Sequence, residues 1–499
     1  MTFALPALDW WAIAPMLVLV LTGCATLVAE LVRGDAAGRA PLAWLTVLGA
    51  SVSGGIALGQ WDDPARLAFS DMVSSDRFTL FFTVLFLVVT CVTVLFAFEQ
   101  LRREDFHPGE FYPLLAFSTT GMVLMAAAAD LVITFIGVEL LSICLYILVG
   151  FSRRRREPEE SAIKYLLLGS FASAFLLYGI ALVYGSTGTT SLACVGRALG
   201  APGGLVGACE GAVATGSVAT GMLLAGIGLL VVGLGFKAAL VPFHSWAPDV
   251  YEGAPTAITA FMSVGVKAAA FAALLRVFLV AFPTLAPDWS VLLAVVATVT
   301  MVTGNTVALF QRNIKRMLGY SSIAHAGYLL VAIVAASHAG AASLLFYAVG
   351  YAAMNLGAFA IVVVLGRAGE ERVAISDYAG LSQRQPLLAA LMATFMFALA
   401  GVPPTVGFVG KFYVFSAAVD AGYVWLALAG LASSVASAYY YLRVVYQMYM
   451  VDPKEVVASH SPHRWVSLVA TVAGFAVIAL GVFPGGIIGV ATASTSFVR

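Results

Sequence analysis

The chain has 499 residues, 61% hydrophobic and 10% charged, and no formal net charge. A soluble domain carries about 25% charged residues, so the composition excludes one and indicates a polytopic membrane protein. No basic face with interleaved aromatics offers itself to nucleic acid, and no CxxC, HExxH, P-loop or GxGxxG motif marks a metal or nucleotide site.

The opening MTFALPALDWW lacks a basic region before its first apolar run, which argues against a cleaved secretory signal. One span takes about 20 apolar residues. On that measure Trp11 to Val32, Pro41 to Gln60 and Phe78 to Phe98 form an N-terminal unit of three helices, residues 1–110. Phe111 to Ala128, Leu131 to Gly150, Ala162 to Tyr184, Thr220 to Val241 and Thr256 to Val280 give five spans within 111–283. Val291 to Phe310, Ser321 to Ala336, Ala341 to Leu365, a long segment from Leu387 to Val419, and Tyr423 to Met450 give five more within 291–450. A loop and a last span, Trp465 to Val490, occupy 451–499. The expected fold is therefore all-α, with about fourteen transmembrane helices.

Lysine and arginine gather on the cytoplasmic side of membrane proteins. With the N-terminus outside, the inner segments collect Arg33, Arg39, Arg102, Arg103, the run Arg153 to Arg156, Lys164, Arg312, Lys315, Arg316, Arg367, Arg372, Arg384, Lys454 and Arg464. The outer side keeps Arg66, Arg77, Arg197 and Arg499, so both termini are expected there. Cys194 and Cys209 share an outer loop, where a disulfide and free thiols are both open. Cys24, Cys91 and Cys144 read as small buried hydrophobes within apolar helices.

The chain has only six lysines, and Lys237, Lys267 and Lys411 fall well inside spans. A cation at the bilayer centre costs about 2.5 to 3.5 kcal/mol on insertion scales. Arginine stays protonated in proteins, whereas a desolvated lysine can titrate, so a site that must gain and lose a proton favours lysine. Glu139 lies roughly 12 Å into its span at 1.5 Å per residue, near the midplane, where it could pair with Lys237. A structural ion pair that merely pins two helices is the plainer alternative. Arg276 and Arg443 stand near span ends and read as snorkelling side chains.

Pro242 interrupts the chain just after Lys237, and Pro403 and Pro404 interrupt the long segment just before Lys411. Proline breaks a helix, and interrupted helices at corresponding positions of two halves point to a transporter's ion path. Five helices per half is an odd number, so two such repeats would be inverted, each with one broken helix. His325 suits proton relay by its ordinary pKa near 6.5, with a merely hydrogen-bonded core histidine nearly as good a reading. His244, beside the first break, carries the same two readings. Asp249 and Glu252 are expected to shape the connection WAPDVYEGAP.

Four stretches carry a family resemblance: GVELLSICLYILVG, GFKAALVPFHSWAPDVYEGAPTAITAFMSVGVKAAAF, QRNIKRMLGYSSIAHAGY and GVPPTVGFVGKFYVF. From about Phe111 to Met450 the chain resembles the antiporter-like membrane subunits of bacterial NADH-quinone oxidoreductase, respiratory complex I, and within them the subunit N branch. The resemblance implies a fourteen-helix fold with two inverted repeats in a proton-pumping arm of the bacterial inner membrane. It also implies that the proton-transfer residues are Glu139, Lys237, Lys267 and Lys411. No cofactor is expected on this chain. NADH, flavin mononucleotide (FMN), iron–sulfur clusters and quinone would lie in partner subunits of complex I, and neighbouring antiporter-like subunits and the lipid bilayer would be its own contacts. A cation/proton antiporter subunit of the Mrp type and a structural spacer that does not pump are the alternative readings.

Overall fold

The computed structural model describes residues 9–33, 40–104, 109–152, 156–200, 209, 219–366, 371–453 and 464–497. Arg39, Arg153, Arg154, Arg155, Arg367, Lys454 and Arg499 lie outside the described residues.

Three helices come first: α1 (Ala14–Arg33), α2 (Ala40–Gly59) and α3 (Arg77–Glu104). A small hairpin of β1 (Arg66–Ala68) and β2 (Val73–Ser75), with Arg66 opposite Ser75, fills the turn between α2 and α3. Then follow α4 (Phe111–Ala127), α5 (Leu131–Val149), α6 (Arg156–Thr187), the short α7 (Leu192–Ala198), α8 (Thr220–Ala238), α9 (Trp246–Gly253), α10 (Thr256–Phe261) and α11 (Lys267–Arg276). Next come α12 (Ala286–Ala308), α13 (Ile314–Val334), α14 (His338–Leu365), α15 (Leu381–Arg384), α16 (Pro386–Ala400), α17 (Val406–Asp420), α18 (Val424–Met450), α19 (Arg464–Val482) and α20 (Gly485–Ala493).

Among the described residues, 11 helices are long and apolar enough to cross a membrane. The most enclosed are Ile314–Val334 and Thr256–Ala281, 94% and 89% buried, whereas α19 is 22% buried and faces outward. The lysine-bearing span thus lies at the centre of the bundle. Cys24 differs from expectation: it is exposed, Cys91 is half-buried and Cys144 buried. Cys194 of α7 forms a disulfide with Cys209.

Two helix hairpins are built alike. Asp130 caps α5 by accepting from the Val132 N–H, and Asn313 caps α13 by accepting from the Lys315 and Arg316 N–H groups, as short polar side chains do at a helix start. Gly121 and Gly304 each stand nine residues before that cap. A Cβ at Gly121 would come 2.6 Å from the Leu141 nitrogen, and one at Gly304 would come 2.6 Å from the Ala324 nitrogen. Those nitrogens sit at the same position along α5 and α13. The absent side chain is what lets each pair of backbones approach.

Arg276 corrects the snorkelling reading. It is 5% exposed, and its guanidinium donates to both carboxylate oxygens of Asp76 at 2.9 Å while facing the rings of Phe78 and Phe497. A fixed fork matching a carboxylate makes a bidentate, charge-assisted pair. Arg443 likewise turns inward, donating to the Leu309 and Gln311 carbonyls just beyond α12.

Candidate functional site

Lys237 is the last basic residue of α8, which stops where Ala239 turns left-handed at φ 57°. The Ala239 and Leu240 N–H groups cap the Phe236 and Gly235 carbonyls, and Val241 and Pro242 carry the chain away from the axis. Proline just beyond a helix end prevents its continuation. Lys237 is 2% exposed, 3.3 Å from the Tyr165 hydroxyl and over the rings of Tyr165, Tyr146 and Phe236 at 4.9 to 5.5 Å. An ammonium over aromatic faces is held by their quadrupoles. Glu139, half-buried on α5, accepts from the Ser173 hydroxyl of α6. Among the described residues no direct ion pair joins Glu139 to Lys237.

His244 lies in the turn between α8 and α9, half-buried, its Nδ1 without a hydrogen-bond partner among the described residues. The WAPDVYEGAP connection is itself largely the helix α9. Trp246, Ala247, Val250 and Tyr251 turn inward, and Asp249 and Glu252 point to the opposite face. There Arg316 bridges Asp249 and Glu252 at 2.7 Å each, and Lys164 meets Asp249 at 3.2 Å. Burial acts to raise the Asp249 carboxyl, but hydrogen bonds and charge from Lys164 and Arg316 outweigh it and hold the group below its ordinary range. These residues line a polar cavity of about 370 Å³ with Glu157, Ser161 and Asn313.

Lys267 opens α11 directly after Met262–Val266, a stretch wound as π-helix, and is 2% exposed. Its ammonium donates to the carbonyl and hydroxyl oxygens of Ser322 on α13. A π-turn shifts the helical phase, which aims side chains that a regular helix would point elsewhere.

His325 lies on α13, one turn from Ser322 and 1% exposed. Its Nδ1 is 2.7 Å from the Tyr347 hydroxyl of α14, and its Nε2 is 3.2 Å from the Tyr441 hydroxyl of α18. Tyr441 also meets Ser321. Nearby, the Asn305 amide donates to Tyr328 and Ser433 and accepts from Tyr440.

Lys411 follows the second break. Helix α16 ends at Gly401, φ 90°, where the Gly401 and Val402 N–H groups cap the Phe397 and Ala398 carbonyls. The next two carbonyls, Leu399 and Ala400, receive the Lys411 ammonium at 2.9 and 3.0 Å, and Ser434 of α18 accepts it at 2.7 Å. The carbonyl end of a helix carries partial negative charge, so the break itself builds the lysine's cradle.

The NADH:quinone oxidoreductase/Mrp antiporter transmembrane family matches residues 128–437. NADH-quinone oxidoreductase subunit N of Trichlorobacter lovleyi is 48% identical over 443 residues, covering 89% of this chain and 88% of its own. The chain belongs to this antiporter family, on its subunit N branch. A chain of respiratory complex I from Thermus thermophilus with bound aureothin, 34% identical, superposes with a TM-score of 0.77 over 96% of this chain and all of its own. A chain of the Mrp complex from Dietzia sp. shares the fold, TM-score 0.82 over 98% of each chain, at 19% identity.

In this antiporter-family chain, Lys267, His325 and Lys411 converge on α13, α14 and α18, while Lys237 and Glu139 stand apart on α8 and α5. Residue spacing does not reveal the partner side chains Tyr165, Ser322, Tyr347, Tyr441 and Asn305. Asn305 was discoverable as an amide inside the apolar run MVTGNTVALF. The tyrosines were not, because a tyrosine in a span is as often an interface residue.

Proposed function

We propose that the chain is a proton-translocating membrane-arm subunit of an NADH:quinone oxidoreductase in the bacterial inner membrane, with both termini on the outer side. NADH, FMN, iron–sulfur clusters and quinone belong to partner subunits, and this chain supplies the ion path. The carrying observation is chemical: among the described residues, Lys237, Lys267 and Lys411 are each bonded by neutral oxygens and by no carboxylate. Such acceptors suit an ammonium and an amine alike, which a group cycling between the two requires.

Fourteen spans in two inverted five-helix repeats, 111–283 and 291–450, fit the matched caps, glycines and proline breaks described above. In that alignment Ser322 occupies the place of Glu139, nine residues after the cap. The acid of one repeat thus corresponds to the neutral cradle of Lys267 in the other.

A charge change arriving from a neighbouring antiporter-like subunit alters the field at Glu139 and so the proton affinity of Lys237. Lys267 and His325 pass the proton laterally, and Lys411 releases it outward against about 2.3 kcal/mol per charge per 100 mV. His244, in the turn that follows Lys237, takes the relay role at the first break. Replacing Lys237 with Ala in the assembled complex is expected to abolish coupled proton transfer while assembly stays near normal. Vesicle pumping assays alongside subunit yield check this, and undiminished pumping would remove the first step.

A further inference from the structure

His325 is clamped at both ring nitrogens by tyrosine hydroxyls, giving the file Ser321–Tyr441–His325–Tyr347. Ser321 neighbours the residue that holds Lys267. At the other end, the Tyr347 ring lies against Gly410, beside Lys411: a Cβ at Gly410 would come 2.4 Å from Tyr347 Cδ2. The file thus begins one residue from Ser322, the partner of Lys267, and ends on a ring packed one residue from Lys411. The groups facing the imidazole are Lys267 from α11, Lys411 from α17, Tyr328 from its own helix, Tyr347 and Tyr351 from α14, and Tyr441 from α18.

A neutral imidazole offers one donor and one acceptor, so the file has two polarities. In one, Ser321 donates to Tyr441, Tyr441 to Nε2, and Nδ1–H to Tyr347. In the other, Tyr347 donates to Nδ1, Nε2–H to Tyr441, and Tyr441 to Ser321. Each makes the same three hydrogen bonds and leaves one terminal O–H spare. A ring that exchanges neutral tautomers never holds a net charge of its own, which a buried site makes costly.

We propose that Tyr441 and Tyr347 carry the proton on either side of His325, and that His325 passes it by exchanging its two neutral tautomers. This rests on the proton-relay reading above. A proton reaches the Ser321 oxygen from the Lys267 ammonium through water, and the serine's own proton moves to Tyr441. The Tyr441 proton bonds to Nε2, the Nδ1 proton leaves to Tyr347, and the Tyr347 proton departs through water to the Lys411 amine. One proton has entered and one has left, the ring is neutral before and after, and the file stands in its opposite polarity. The hydroxyls reset by turning, and the ring resets when its Nε2 proton passes through water to Nδ1, so one proton crosses per reset.

The test uses the whole complex in vesicles, reading protons pumped per NADH oxidised across pH 6 to 8. Tyr347→Phe and Tyr441→Phe keep the rings and remove only the hydroxyls, and each is expected to lose as much pumping as His325→Ala, while the unaltered complex gives a flat profile. Loss in His325→Ala with normal pumping in both Phe variants overturns the tyrosine path and leaves the relay reading standing. Normal pumping in His325→Ala removes the relay reading through this residue. A limb centred near the ordinary histidine pKa of about 6.5 identifies a cationic carrier and overturns tautomer exchange. Should a Phe variant not assemble, fluorotyrosine at that position keeps the packing, and a pumping rate unaltered by the more acidic phenol counts against the proposal.

Discussion

A guanidinium near the end of a span has two ways to be comfortable, and Arg276 takes the one its position does not advertise. Its partner Asp76 lies 200 residues away in sequence, between the hairpin and the start of α3. No local pattern could have paired them. Arg276→Ala should leave a buried carboxylate uncompensated and cost about 3–5 kcal/mol, whereas a matched apolar pair, Arg276→Met with Asp76→Leu, should recover most of it. Thermal unfolding of the purified protein in detergent measures both. The three intramembrane lysines were legible because a lone charge in an apolar run is itself the signal. Their partners were not, because serine, tyrosine and backbone carbonyls are unremarkable until a fold brings them to a cation.

At the scale of elements, proline and glycine placed both breaks correctly, but their chemical use emerges only in three dimensions. The second break leaves two carbonyls for Lys411 because the turn after Gly401 consumes the two before them. Gly407 sits where a Cβ would come 1.8 Å from the Ala398 carbonyl oxygen, while one at Gly486 would meet nothing within 4 Å. Gly407→Ala should therefore push α17 off the end of α16, lower stability by about 1–3 kcal/mol as overpacking does, and reduce pumping. Gly486→Ala should leave both unchanged, with vesicle pumping and thermal unfolding as the readouts. The π-turn before Lys267 had no sequence signature, since MSVGV reads as ordinary helix. The WAPDVYEGAP connection, read as a shaped loop, is largely helical because its apolar residues recur at helical spacing and its acids fall on the other face.

For the whole molecule, the fold alone does not separate a redox-driven pump from a cation/proton antiporter, since a chain of the Mrp complex superposes as well as one of complex I. Purification from native membrane is expected to bring down quinone-reducing and iron–sulfur subunits in fixed ratio. A chain recovered without them that exchanges sodium or potassium for protons in vesicles would favour the antiporter. Hydrophobic composition, the length of the apolar runs and the isolated lysines determined, from sequence by itself, that this is a many-helix membrane protein with titratable groups at depth. Lipid forces that outcome, because it tolerates neither an unpaired backbone nor an idle charge. Only the tertiary structure decided what each charge touches: a carboxylate for Arg276, helix-end carbonyls for Lys411, serine for Lys267 and two tyrosines for His325. Those contacts join residues from distant spans, and hydrophobic periodicity specifies which face of a helix is buried, not which neighbour it meets.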